Sequence, residues 1–196
     1  MDIGVLIGIL ISSVLIENYI FSRFLGICPF LGLSEKPSTA IGMGCAVTFV
    51  MTLSTATTWL IYTYVLVPFE LQYLKTIAFI LVIASLVQLI EMFLKKSVPS
   101  LYSALGIYLP LITTNCAILG AALLCVQNGY NLLESIIFSF GSAVGWTLAI
   151  VIFASVRARV NLADPPKSFK GTPIALVTAS LIAMAFAGFS GVELPL

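Results

Sequence analysis

The sequence predicts an all-α integral membrane protein of six transmembrane helices, and three observations predict it. Hydrophobic residues make up 60% of the chain and charged residues 9%, against roughly 25% charged in a soluble domain. Apolar runs near the length of a bilayer crossing recur along the whole sequence, and the stretches between them are short and polar. Lys and Arg gather in alternate loops, as they do in multi-span proteins. The net charge of +1 and the lack of a basic patch with interleaved aromatics argue against a nucleic-acid partner.

The six runs lie near Ile3 to Leu25, Thr39 to Val67, Leu74 to Leu94, Leu101 to Val126, Leu132 to Val156 and Thr172 to Phe189. Each is judged against the roughly 20 residues that a helical crossing needs. The N-terminus, MDIGVLIGIL, has no basic leader and no small-residue cleavage site, so it reads as a retained span. Turn and charge signals fall at Ser34 to Ser38, Val67 to Glu70, Lys95 to Ser100, Gln127 to Asn131 and Arg157 to Gly171. Residues 1–196 therefore read as one membrane domain with no soluble part. Arg23, Lys36, Lys95, Lys96, Arg157, Arg159, Lys167 and Lys170 share one side, with only Lys75 opposite. The positive-inside rule makes the crowded side cytoplasmic and both termini external.

The fourth run is unusual within. Leu105 to Gly120 reads LGIYLPLITTNCAILG and carries a proline, two threonines, an asparagine and a cysteine. Pro110 withholds a backbone donor, Thr113 and Thr114 can bond back to the backbone, and hydrocarbon would not solvate the Asn115 amide. A broken helix is expected here, buried in protein or lining a cavity. Leu25 to Gly32, LGICPFLG, echoes this stretch, and AIGMGCAV at Ala40 to Val47 has a looser relative in FGSAVGW at Phe140 to Trp146. The echo suggests two three-helix repeats, about 1–97 and 98–196, with broken segments near Cys28 and Cys116. An odd number of spans per repeat inverts the second copy, the arrangement in which transporters build a midplane site. Chance recurrence in a leucine-rich chain is the competing explanation.

The four cysteines separate by context. Cys125 lies nine residues beyond Cys116, roughly 13 Å along a continuous helix at about 1.5 Å per residue, and reads as packing. Cys45, between Gly44 and Ala46, reads as a close-packing residue at a helix interface. Cys28 and Cys116 stand beside backbone-breaking residues and can present thiolates at helix discontinuities. Structural zinc and iron-sulfur clusters usually want four ligands, so this pair supplies half a site and a partner chain the rest. Two buried apolar thiols without a ligand are the alternative. No acid-base or nucleophilic catalytic group and no nucleotide fingerprint is evident.

RFLGICPFLG, TAIGMG, LIEMFLKK, LYSALGIYLPLITTNCAILG, FGSAVGW, ADPPKSFKG and FSGVEL together resemble the A-subunit family of the Rnf complex, the ion-translocating ferredoxin:NAD oxidoreductase. The related E subunit of the sodium-translocating NADH:quinone reductase shares the second cysteine motif. The resemblance implies two homologous six-helix subunits in opposite orientations, holding a [2Fe–2S] cluster within the membrane. The matching cysteines here are Cys28 and Cys116. It also implies flavins and NAD on other subunits, and electron transfer coupled to sodium or proton export. A different class of function stays open from the residues alone. In an inverted-repeat solute or ion transporter, Thr113, Thr114 and Asn115 would be the ligands. Against it, intramembrane carboxylates are limited to Glu17 and Glu91, at span ends within reach of the interface or of Lys95.

Overall fold

The computed structural model describes residues 3–34, 37–97, 109–163 and 166–188, and these are helices joined by turns. Lys36, the Leu105-Gly106-Ile107 half of the sequence echo and the closing residues 189–196 lie outside the described residues. Helix α1 (Ile3–Ile11) widens into a π-helical turn at Ser12–Ile16, and after a non-helical turn α2 (Ile27–Leu33) follows. Helix α3 (Pro37–Ile61) also ends in a π-helical turn, Tyr62–Leu66. Helix α4 (Lys75–Ser97) is preceded by a short 3-10 turn, and α5 (Leu109–Thr113) and α6 (Cys116–Gln127) are separated by Thr114 and Asn115. Helices α7 (Leu132–Leu162) and α8 (Thr172–Ala187) complete the described chain.

Every apolar run of the sequence contains helix, but the runs are not alike. Residues 37–66, 72–93 and 132–162 are long and apolar enough to cross a membrane, whereas 4–16, 111–127 and 172–187 are shorter apolar helices. Two of the shorter ones adjoin the broken segments. Where sequence and structure differ in bounds, capping and charge account for it. A capping box between Asn131 and Glu134 fixes the start of α7, and the first breakers downstream are Pro165 and Pro166, so the stretch from Arg157 that reads as loop is helical to Leu162. Lys95 and Lys96 belong to the last turn of α4, where cations complement the helix dipole.

The bundle is built on α3 and α7, which make the most extensive helix pair. On α3 the buried residues Ala40, Met43, Gly44, Val47, Val50, Met51, Ser54, Thr55 and Thr58 form one stripe at helical spacing. Helix α7 is buried on more of its circumference and touches α1, α3, α6 and α8. Helix α4 lies at the edge. Phe79, Ile83 and Val87, four residues apart, face inward, and Ile77, Ile80, Leu81 and Leu89 are exposed.

Small residues set the closest approaches. A Cβ at Gly145 would stand 2.7 Å from the Val14 carbonyl oxygen, one at Gly141 would meet Ser13, and one at Gly44 would meet Thr147. Backbone contact of this kind is how helices associate where apolar burial gives no preference for protein over lipid. Gly42, in the same AIGMGCAV run as Gly44, has nothing within 4 Å of a Cβ and is open. Gly145→Val should therefore overpack the α1–α7 contact and cost about 1–3 kcal/mol, whereas Gly42→Ala should stay within about 0.5 kcal/mol of the parent. Thermal unfolding of the purified protein in detergent compares the two.

Candidate functional site

The first break is organised by Asn18, which is fully buried. Its Oδ1 accepts the backbone N–H groups of Ile20 at 3.1 Å and Phe21 at 3.3 Å. Its Nδ2 donates to the Gly145 carbonyl on α7 at 2.9 Å. One amide thus satisfies donors freed by the end of a helix and ties the turn to the central helix. The exposed rim of the turn is closed by an ion pair of Glu17 with Arg23 at 2.9 Å, so the partner of Glu17 is Arg23 from the same turn and not Lys95.

Two left-handed residues then redirect the chain, Phe24 at φ 56° and Gly26 at φ 77°. The Leu25 side chain lies over Gly120 of α6, where a Cβ would meet it at 2.6 Å. The Gly26 backbone N–H donates to the Cys116 sulfur at 2.9 Å. No other residue type suits position 26. A Cβ there would stand 2.5 Å from Trp146 Nε1 and 3.2 Å from Ala117 Cβ, and the left-handed conformation disfavours any side chain.

Cys28 is the second residue of α2 and Pro29 the third, a first-turn position where the missing N–H of proline costs no intrahelical bond. Short as it is, α2 is anchored at two places. Phe30 stacks on Phe153 of α7 with ring centroids 4.2 Å apart and meets Phe21 edge-on at 5.9 Å. At the C-terminal end, Arg157 Nη1 donates to the Leu31 carbonyl at 2.9 Å and to the buried Ser34 hydroxyl oxygen at 2.7 Å. A cation placed on terminal carbonyls complements the helix dipole as well as satisfying an acceptor.

The second break falls at Thr114 and Asn115. Pro110 is the second residue of α5, and the interruption among the described residues comes after it. Asn115 caps α6: its Oδ1 accepts from the Ala117 N–H at 3.0 Å and its carbonyl from the Ile118 N–H at 3.1 Å. Cys116 is the first residue of α6.

Cys28 and Cys116 are both exposed on the chain, and the Gly26 hydrogen bond joins the two breaks that carry them. Cys125 is buried, with its thiol directed at the Ser135 carbonyl 3.8 Å away, as packing requires. Cys45 differs from the expectation of close packing. It is exposed and lines a groove of about 880 Å³ between α3 and α7, together with Phe49, Phe140 and Thr147. The reason is helical phase: Gly44 takes the contact with Thr147, and the next residue is turned away from it. Among the described residues no group of three or more His, Cys, Asp or Glu stands together as a metal site. Each of the two exposed thiols stands in the first turn of a helix, Cys28 on α2 and Cys116 on α6.

Neither Asn18, Trp146 nor Arg157 carries a sequence signal of its role. Asn18 sits in an ordinary IENYIF run, and Arg157 reads as one of the loop cations.

A family model described as Rnf-Nqr subunit, membrane protein, matches residues 6–193. The A subunit of the ion-translocating oxidoreductase complex of Syntrophotalea carbinolica is 58% identical over 95% of this chain and 96% of its own length. The A subunit of the Na(+)-translocating ferredoxin:NAD(+) oxidoreductase complex of Acetobacterium woodii is 59% identical over 96% and 98%. The A subunit of the ion-translocating oxidoreductase complex of Actinobacillus pleuropneumoniae is 54% identical over 93% and 95%.

Removal of the Asn18 side chain strands the Gly145 carbonyl contact and two turn amides. Asn18→Ala should lower stability by about 1–3 kcal/mol, the cost of unsatisfied buried groups. Hydrogen exchange followed by mass spectrometry should rise in residues 17–26 and stay unchanged in the middle of α3.

Proposed function

The chain belongs to the Rnf-Nqr family of membrane subunits, and from that premise we propose that it serves as the A-type subunit of an ion-translocating ferredoxin:NAD oxidoreductase complex. In this reading Cys28 and Cys116 supply two thiolates to a [2Fe–2S] cluster. A homologous six-helix E-type subunit of opposite orientation supplies the other two. When bound, such a cluster carries single electrons at membrane depth. Flavins and NAD belong to other subunits, and the electron flow is coupled to export of sodium or protons. The observation that carries the reading is the Gly26 hydrogen bond to Cys116, which joins the two cysteine-bearing breaks while both thiols remain exposed.

The chain's own residues hold the half-site in place. Asn18 and Arg157 fix the turn and the far end of α2, and Asn115 fixes the start of α6. Phe24, 67% exposed two residues before Gly26, offers apolar surface for a second subunit beside the half-site. The two breaks also support an inverted pair of three-helix repeats over about 1–97 and 98–196, in which discontinuous helices meet near the midplane. The eight-to-one division of Lys and Arg supports external termini in a bacterial inner membrane.

In the assembled complex, Cys28→Ala and Cys116→Ala should each lose cluster iron, its electron paramagnetic resonance signal and ferredoxin-dependent NAD reduction. Cys125→Ala should keep all three and cost about 1–2 kcal/mol as a core truncation, and Cys45→Ala should keep them as well. Equal behaviour of all four variants at matched assembly would replace this reading by the transporter. For topology, a reporter active only outside the cell should work when fused near Gln127 and be silent near Lys167.

A further inference from the structure

We propose that Gly26 sets the electron affinity of the cluster through its backbone N–H on the Cys116 sulfur, with Trp146 as the positioning residue that keeps this N–H in place. The proposal rests on the reading of Cys116 as a cluster ligand. Cys116 follows one break and the donor precedes the other, so the sulfur of one half of the chain is tuned by the backbone of the other half. A hydrogen bond to a thiolate ligand stabilises the electron-rich reduced cluster more than the oxidised one, and so raises the reduction potential. On the donor side of the contact a low local dielectric magnifies the polar interaction, while the Cys116 sulfur is exposed on this chain. Gly26 is buried, and Trp146 is fully buried.

The geometry confines the donor from several sides. The edge of the Trp146 indole that carries Nε1 and Cδ1 lies where a side chain at position 26 would stand, and Ala117 closes the space beside it. Leu25 is lodged over Gly120, and its own N–H donates to the Tyr19 carbonyl at 2.6 Å. Trp146 Nε1 has no hydrogen-bond partner among the described residues.

The test is a mediated redox titration of the cluster signal in the whole purified complex, comparing the parent with Gly26→Ala, Trp146→Ala and the open-site control Gly42→Ala. The first two should shift the midpoint to lower potential at unchanged iron content, and the control should match the parent. Loaded clusters of equal midpoint in Gly26→Ala and the parent overturn the inference and leave the cluster reading standing. An iron-free parent complex overturns both. If Gly26→Ala does not assemble, the parent complex labelled with 15N-glycine decides the matter. Pulsed electron paramagnetic resonance of the reduced cluster should detect coupling to a glycine nitrogen, and the absence of that coupling overturns the inference.

Discussion

A primary amide with no water around it must find protein partners, and Asn18 finds three. The structure near the half-site depends on that set of bonds. Inside an apolar bundle a helix can stop only where something else takes up its free backbone groups, and the Asn18 side chain does this for Ile20 and Phe21 while holding the Gly145 carbonyl. Gly145 serves the same junction twice. Its carbonyl receives the amide, and its missing side chain lets the Val14 backbone approach α7. The termination of α1, the docking of α1 on α7 and the direction of the chain toward Gly26 are thus one local solution and not three.

The half-site inherits its geometry from this junction. Short helices are poor scaffolds by themselves, because a few turns of backbone bonding do not offset their nucleation cost. Helix α2 is positioned instead by its surroundings: an aromatic stack in the middle and a guanidinium at the end, both from α7. The second cysteine stands on the better-capped α6, and the Gly26 amide spans the gap between the two. Helix α7 is therefore the reference for the first break, through Gly145, Trp146, Phe153 and Arg157, and the Gly26 amide ties the second break to it. The chain belongs to the Rnf-Nqr family, and the proposed half-site would be completed only by a second subunit.

The class of the protein, its apolar segments and the two interruptions were legible in the sequence because they depend on composition and on residues with strong local effects. Proline, glycine and asparagine inside an apolar run signal a break wherever they occur. The position of the second break was less legible. Pro110 is the stronger breaker by type, yet it stands in the first turn of α5, and the described helix gives way at Thr114 and Asn115, where a capping side chain offers the backbone an alternative. Contacts between distant segments left no local trace. Gly42 and Gly44 look equivalent in sequence and differ by helical phase alone, which also turned Cys45 outward when packing was expected. Arg157 carried a correct signal of charge sidedness and no signal of the helix end that it holds.

The sequence distance of these contacts has a consequence for how the chain is made. The partner of Asn18 lies 127 residues downstream, and that of Leu31 lies 126 residues downstream. At about 5–20 residues per second, the ribosome needs on the order of 10 s to deliver them. For that interval the first segment has left the ribosome with its amide, its turn and its short second helix still lacking the surface that shapes them. The first break therefore takes its final shape only when α7 arrives.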